Sequence, residues 1–95
     1  MNEYSAVYED AIDSTLELLE TNKQFAYIID VRTKMARIDV PDWNGNNFNK
    51  AVAKLVTYLM PHLEPSLPFD ATELSQDEYY GFWEGLAEHL LMTVD

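Results

Sequence analysis

Lys23-Gln24-Phe25-Ala26-Tyr27-Ile28-Ile29-Asp30-Val31-Arg32-Thr33-Lys34-Met35-Ala36-Arg37-Ile38-Asp39-Val40 is the stretch whose local structure decides the fold. Phe25, Tyr27, Ile29 and Val31 alternate with Gln24, Ala26, Ile28 and Asp30, the period of two expected of a half-buried strand. Met35, Arg37 and Asp39 then alternate with Ala36, Ile38 and Val40 in a second such run. The short join Val31-Arg32-Thr33-Lys34 makes the pair a β-hairpin, although it lacks the Asn-Gly or Asp-Gly of the tightest turns. A lone hairpin is marginal in water, so helices must cover it. Its outer edges stay open to pairing with another chain. Pro41 stops the second run, since proline can neither donate to the ladder nor sit within it.

Upstream, residues 4–20 read as a helix. Val7, Tyr8, Ala11, Ile12, Leu16, Leu18 and Leu19 make its apolar face, and Asp10, Asp13, Glu17 and Glu20 form an acidic stripe opposite. Glu17 and Glu20 stand at the end where the helix dipole disfavours anions. Thr21-Asn22 closes this helix. Downstream, Asp42-Trp43-Asn44-Gly45-Asn46-Asn47 is a polar turn, with Asn46 or Asn47 placed to cap the next helix. Phe48, Ala51, Val52, Leu55, Val56 and Leu59 mark that helix, which Pro61 is expected to break or kink near Met60. Pro65 and Pro68 punctuate a connector packed by Leu63, Leu67 and Phe69, and Asp70 and Glu73 can cap a short preliminary turn.

The last stretch, Leu74 to Asp95, is the most clearly written helix. Ser75 and Glu78 stand in capping-box register, with Leu74 and Tyr79 positioned as a hydrophobic staple. Tyr79, Phe82, Trp83, Leu86, Leu90 and Val94 recur on one face, and Asp77, Glu84 and Glu88 recur on another. The order helix, hairpin, helix, helix predicts a single small α+β domain over residues 1–95, with three helices packed on a short antiparallel sheet.

The chain holds six basic and seventeen acidic residues, a formal charge of −11 on 95 residues. The six cations (Lys23, Arg32, Lys34, Arg37, Lys50 and Lys54) all fall between residues 23 and 54, so the two ends are purely anionic. Such a chain is repelled by nucleic acid and by anionic membrane, and is drawn to basic surfaces. With no cysteine there is neither a disulfide nor a thiolate site. No secretory signal pattern and no apolar run of bilayer length is present, so a cytoplasmic location is expected.

Chemistry-bearing motifs are few. His62 and His89 lie among apolar residues, where a structural role outweighs a catalytic one. No nucleophile elbow, phosphate-binding loop or dinucleotide fingerprint is present. Asp42-x-Asn44-x-Asn46 begins like a calcium loop, but Asn47 and Ala53 occupy the places that need Gly and Glu. Neither catalysis, a cofactor nor a metal is expected. Gly81 and Gly85 form a G-x-x-x-G spacing at which a neighbouring backbone or aromatic ring is expected to approach closely. By pattern Phe25, Tyr27, Phe48, Phe82 and Trp83 belong to the core. Trp43 and Tyr80 are harder to bury and are the aromatic candidates for contact, since Trp and Tyr are enriched in binding hot spots.

The function expected from these features is protein binding through anionic helix faces. Carboxylates one helical turn apart recur at about 5.4 Å, not far from the phosphate spacing of a nucleic-acid strand. Asp10, Asp13, Glu17, Glu20, Asp77, Glu84 and Glu88, with Tyr80 and Trp43 as anchors, would occupy the basic groove of a nucleic-acid-binding protein. In composition the chain resembles the small acidic DNA mimics that phages encode against restriction or CRISPR defences, and that resemblance implies an inhibitor of such an enzyme. A second reading is an immunity protein, antitoxin or chaperone that neutralises one basic toxin or effector. A third is a structural subunit that forms a homodimer through the hairpin edge or the Gly81–Gly85 face.

Overall fold

A computed structural model describes the backbone of residues 3–93, with side chains from residue 9 onward. It contains four helices: α1 (Glu3–Thr21), α2 (Lys23–Asp39), α3 (Phe48–Leu63) and α4 (Gln76–Met92). Two single-turn 3₁₀ segments, Glu64–Ser66 and Ala71–Glu73, connect α3 to α4. No strand occurs among the described residues, so the α+β expectation is corrected to an all-α fold.

The correction falls on residues 23–40. Both runs of the expected hairpin belong to one continuous helix, and the supposed turn at Val31–Lys34 lies in its middle. The physical reasons are local. Nothing in Val31-Arg32-Thr33-Lys34 favours a reversal, since turns draw on Gly, Pro, Asn or Asp. Ala26 and Ile28 put apolar residues in the register that alternation needs polar. Residues buried in and just after α2 are Ile29, Thr33, Ala36 and Val40, a spacing of four, three and four. Asn22, which ends α1, also starts α2: its side chain accepts the Phe25 N–H at 3.3 Å. Thr33 is compatible with a buried helix because its hydroxyl donates to the Ile29 carbonyl at 2.8 Å. Tyr27, expected in the core, is 72% exposed.

The other helices match their patterns more closely. At α4 the capping box closes in both directions, with Ser75 N–H donating to Glu78 Oε1 at 2.7 Å and Glu78 N–H to Ser75 Oγ at 3.2 Å. Asp70 caps the Ala71–Glu73 turn by accepting the Thr72 N–H at 3.0 Å. Val94 lies outside the described residues, as do the side chains of Val7 and Tyr8. α3 does not stop near Met60 but runs through Pro61 to Leu63. A proline forfeits one ladder bond, and the carbonyl it strands belongs to Thr57, an exposed residue that water can reach. Asn47 occupies the N-cap position of α3 but makes no side-chain cap; backbone bonds from Gly45 and Asn47 to the Asp42 carbonyl close the loop instead.

The helices pack in a ring, α1 on α2, α2 on α3, α3 on α4, and α4 back on α1. α3 and α4 supply most of the buried side chains: Leu55, Leu59 and Leu63 from one, Phe82, Trp83, Leu86 and Leu91 from the other. Phe69 of the connector seals the core edge-on against Phe82, with ring centroids 4.9 Å apart. α1 and α4 run parallel: Ile12 meets Gly85, while Leu16 and Leu19 share a groove with His89, Leu90 and Thr93. A Cβ on Gly85 would lie 2.7 Å from Ile12 Cδ1. Of the close approaches expected at Gly81 and Gly85, the one at Gly85 is found, and its neighbour is an aliphatic side chain rather than a backbone or an aromatic ring. This contact commits the Gly85 side of α4 to α1, and with no hairpin there is no sheet edge. Of the two surfaces named for a homodimer, the hairpin edge does not exist among the described residues, and the Gly85 half of the other is covered by Ile12.

Candidate partner-binding surface

Closing the ring brings the two acidic helices side by side. α1 and α4 together carry ten acidic residues and no Lys or Arg, whereas all six cations sit on α2 and α3. The charge segregation visible along the chain thus becomes a segregation between two halves of the bundle. Asp10, Asp13, Glu17 and Glu20 on α1 are exposed, as are Asp77, Glu84 and Glu88 on α4. Among the described residues, Glu17, Glu20, Glu84 and Glu88 have no oppositely charged partner. On the basic half, Lys34 is paired to Asp30 at 3.0 Å within α2.

The two aromatic candidates part company. Tyr80 is half exposed at the start of α4, beside Tyr79. Trp43 is partly buried against the core, with the Arg37 guanidinium 4.9 Å from its ring centroid, so one face of its ring is covered by an internal cation. Sequence reading missed Arg37 by placing it on a strand. From the last turn of α2 its terminal nitrogen donates to the carbonyls of Leu90 (3.3 Å), Leu91 (2.9 Å) and Thr93 (3.1 Å). Those are groups left unpaired as α4 ends, so Arg37 caps another helix's negative pole while stacking on Trp43. Removing the charge with Arg37→Met is expected to cost about 2–3 kcal/mol of folding stability, the scale of a charged hydrogen-bond set plus a cation–π contact. Arg37→Lys should recover part of this. Urea unfolding measures both, and a loss under about 0.5 kcal/mol for Arg37→Met, within the range of ordinary surface changes, would mean the clasp adds nothing.

Two concavities adjoin this surface. The larger, about 440 Å³, lies where α1, α2 and α4 meet, with a floor of Leu16, Leu19, Ile29 and Leu90 and a mixed rim that includes Glu20, Lys34 and His89. The smaller, about 240 Å³, separates Asp10 and Ser14 of α1 from Phe69, Asp70 and Glu73 of the connector, adding two acids beside the α1 stripe. Asp70 is held ionised below the usual carboxylate range by the Thr72 hydroxyl and then by its backbone N–H. Burial raises the Tyr79 hydroxyl; the Trp83 indole opposes this, and the hydrogen bond donated to Glu64 Oε2 at 3.0 Å adds to it. The Tyr58 hydroxyl is raised chiefly by its hydrogen bond to the Asp39 carboxylate. These tyrosines are protonated donors tying the connector to α4 and α2 to α3, not poised acids or bases.

Among the described residues no three His, Asp or Glu side chains converge as a metal site. Nor is any described helix long and apolar enough to cross a membrane. The chain matches no protein-family model, no curated protein and no solved structure.

Proposed function

We propose that this protein is a binding inhibitor whose α1–α4 face occupies a basic, nucleic-acid-binding groove on another protein. The observation that carries the reading is the adjacency of two parallel helices bearing only acids, with the cations withdrawn to the opposite half of the bundle. Carboxylates on each helix recur at about 5.4 Å per turn, and two such rows side by side present charge at a density comparable with a strand of phosphates. Keeping this face has a cost, since like charges a turn apart destabilise a helix by a few tenths of a kcal/mol each. A cationic groove removes that repulsion and adds steering from a distance. Tyr80, half exposed on α4, supplies an aromatic anchor to the same helix.

The test is a capture and then a competition. The immobilised protein is offered the heparin-retained fraction of a cell lysate, and bound protein is challenged with excess duplex DNA. Release by duplex is the expected result, because mimic and nucleic acid would share one groove. A captured protein that excess duplex cannot displace would rule out groove occupancy and would favour a cognate toxin or effector neutralised elsewhere on its surface.

A further inference from the structure

The outward side of α2 holds a second interaction surface, distinct from the acidic face, although Asp30 and Lys34 also line the groove where α1, α2 and α4 meet. Gln24, Tyr27, Val31, Lys34 and Ile38 succeed one another at steps of three, four, three and four, the a/d spacing of a coiled-coil seam. The seam points away from Ile29, Thr33 and Ala36, which face the core. Tyr27 and Ile38 are 72% and 74% exposed, among the most exposed large apolar residues described. Ile28 and Met35, both partly exposed, widen the apolar strip along one flank.

We infer that α2 pairs with α2 of a second copy in antiparallel register, making a weak isologous dimer. The seam is self-complementary about a two-fold axis passing between Val31 and Lys34. In that register Tyr27 of one chain lies against Ile38 of the other at both ends, and Val31 covers the aliphatic stem of Lys34 in the middle. An a position meets a d position in each layer, as antiparallel coiled coils require. Charge agrees with this arrangement. Lys34 and Asp30 already pair on the surface with side chains 64% and 53% exposed, and the two-fold sets two such pairs side by side as one neutral group. α2 has four cations against two acids, so the two copies meet across small like charges of +2, which salt screens, and keep the all-acidic helices apart. The strip is only about 26 Å long, from 17 residues at 1.5 Å each, and one helix wide. Its contact area therefore falls below the roughly 1,200 Å² of stable interfaces, which makes the dimer concentration-dependent.

Sedimentation equilibrium of the full chain from micromolar to submillimolar concentration tests this. A reversible monomer–dimer equilibrium is expected, weakened about tenfold or more by Ile38→Glu, with the circular dichroism of the folded monomer unchanged. Orientation is read by cross-linking, which the lack of native cysteine makes clean. Tyr27→Cys mixed with Ile38→Cys should form a disulfide readily, whereas either variant alone should not, because identical positions lie about 16 Å apart along an antiparallel pair. A monomer at every concentration would overturn the proposal. So would same-position cross-links outrunning the mixed one. Mass growing past the dimer as salt is lowered would also overturn it, since that marks acidic helices docking on basic ones. The outcome is independent of the acidic-face reading, which the competition experiment tests by itself.

Discussion

Trp83→Ala is expected to remove about 3–5 kcal/mol of folding stability, the largest loss from any single side chain here. Trp83 is fully buried on α4, edge-on to Phe82 at 5.0 Å and to Tyr79 at 6.1 Å between ring centroids. Phe82 in turn packs edge-on against Phe69 of the connector at 4.9 Å, so Trp83 stands within one continuous aromatic cluster. A domain of this size has a total stability of roughly 5–14 kcal/mol, so the variant should be partly unfolded at physiological temperature. Its thermal midpoint should fall by about 4–8 °C for each kcal/mol lost. Trp83→Phe separates volume from chemistry. The indole Nε1 is buried without a hydrogen bond of normal geometry, so phenylalanine removes a desolvated donor while leaving a smaller void. Its cost should be well under half that of alanine. Thermal and urea unfolding monitored by circular dichroism measure both, and a Trp83→Ala penalty below about 1 kcal/mol, the median for point changes, would contradict the packing described.

The elements legible in the sequence are those whose signals are local and redundant. Ser75 and Glu78 announced the start of α4, and the observed capping box uses the same atoms that the spacing implied. α1 was bounded by its three-and-four periodicity to within a residue at each end. In α2 two periods overlap, which is why its sequence also reads as a hairpin. Phe25, Ile29 and Val31 satisfy alternation, but Phe25, Ile29, Thr33 and Ala36 satisfy a helix, and only the second set reaches the core. The absence of any turn-forming residue at Val31–Lys34 is the local signal that favours the helix. The same overlap hides Arg37, whose role depends on standing in the last turn of a helix beside the end of another. For the candidate surface, the acids and their one-sided placement were visible in the chain, whereas the adjacency of α1 and α4 was not. It arises from ring closure, sealed where Gly85 admits Ile12, and neither residue reveals its partner in sequence.

That adjacency makes recognition and stability oppose one another, and the opposition is measurable. Glu17→Lys, Glu20→Lys and Glu88→Lys each put a cation near the C-terminal end of a helix whose dipole favours it, a gain of about 0.3–1 kcal/mol apiece. Asp13 with position 17, and Glu84 with position 88, change from like-charge to opposite-charge neighbours one turn apart. Glu20 shares its groove with Asp30, Lys34 and Arg37 of α2, so reversal there trades attraction to the cations for attraction to Asp30, and the expected gain comes from the helix ends. The triple variant should therefore unfold at a temperature several degrees above the parent, and by more at low salt, where surface charge is least screened. Its affinity for a partner captured through a cationic groove should fall by two orders of magnitude or more, about 3 kcal/mol, with a flatter dependence on salt. Lys50→Glu with Lys54→Glu is the control, because it changes net charge on the half of the bundle that the proposed groove does not touch. If attraction depended on total charge alone, this control would bind more tightly and the triple variant would weaken only in proportion to its charge. If the α1–α4 face is the binding surface, the control should bind nearly as the parent does. A triple variant that is more stable and binds undiminished would mean these carboxylates serve solubility alone.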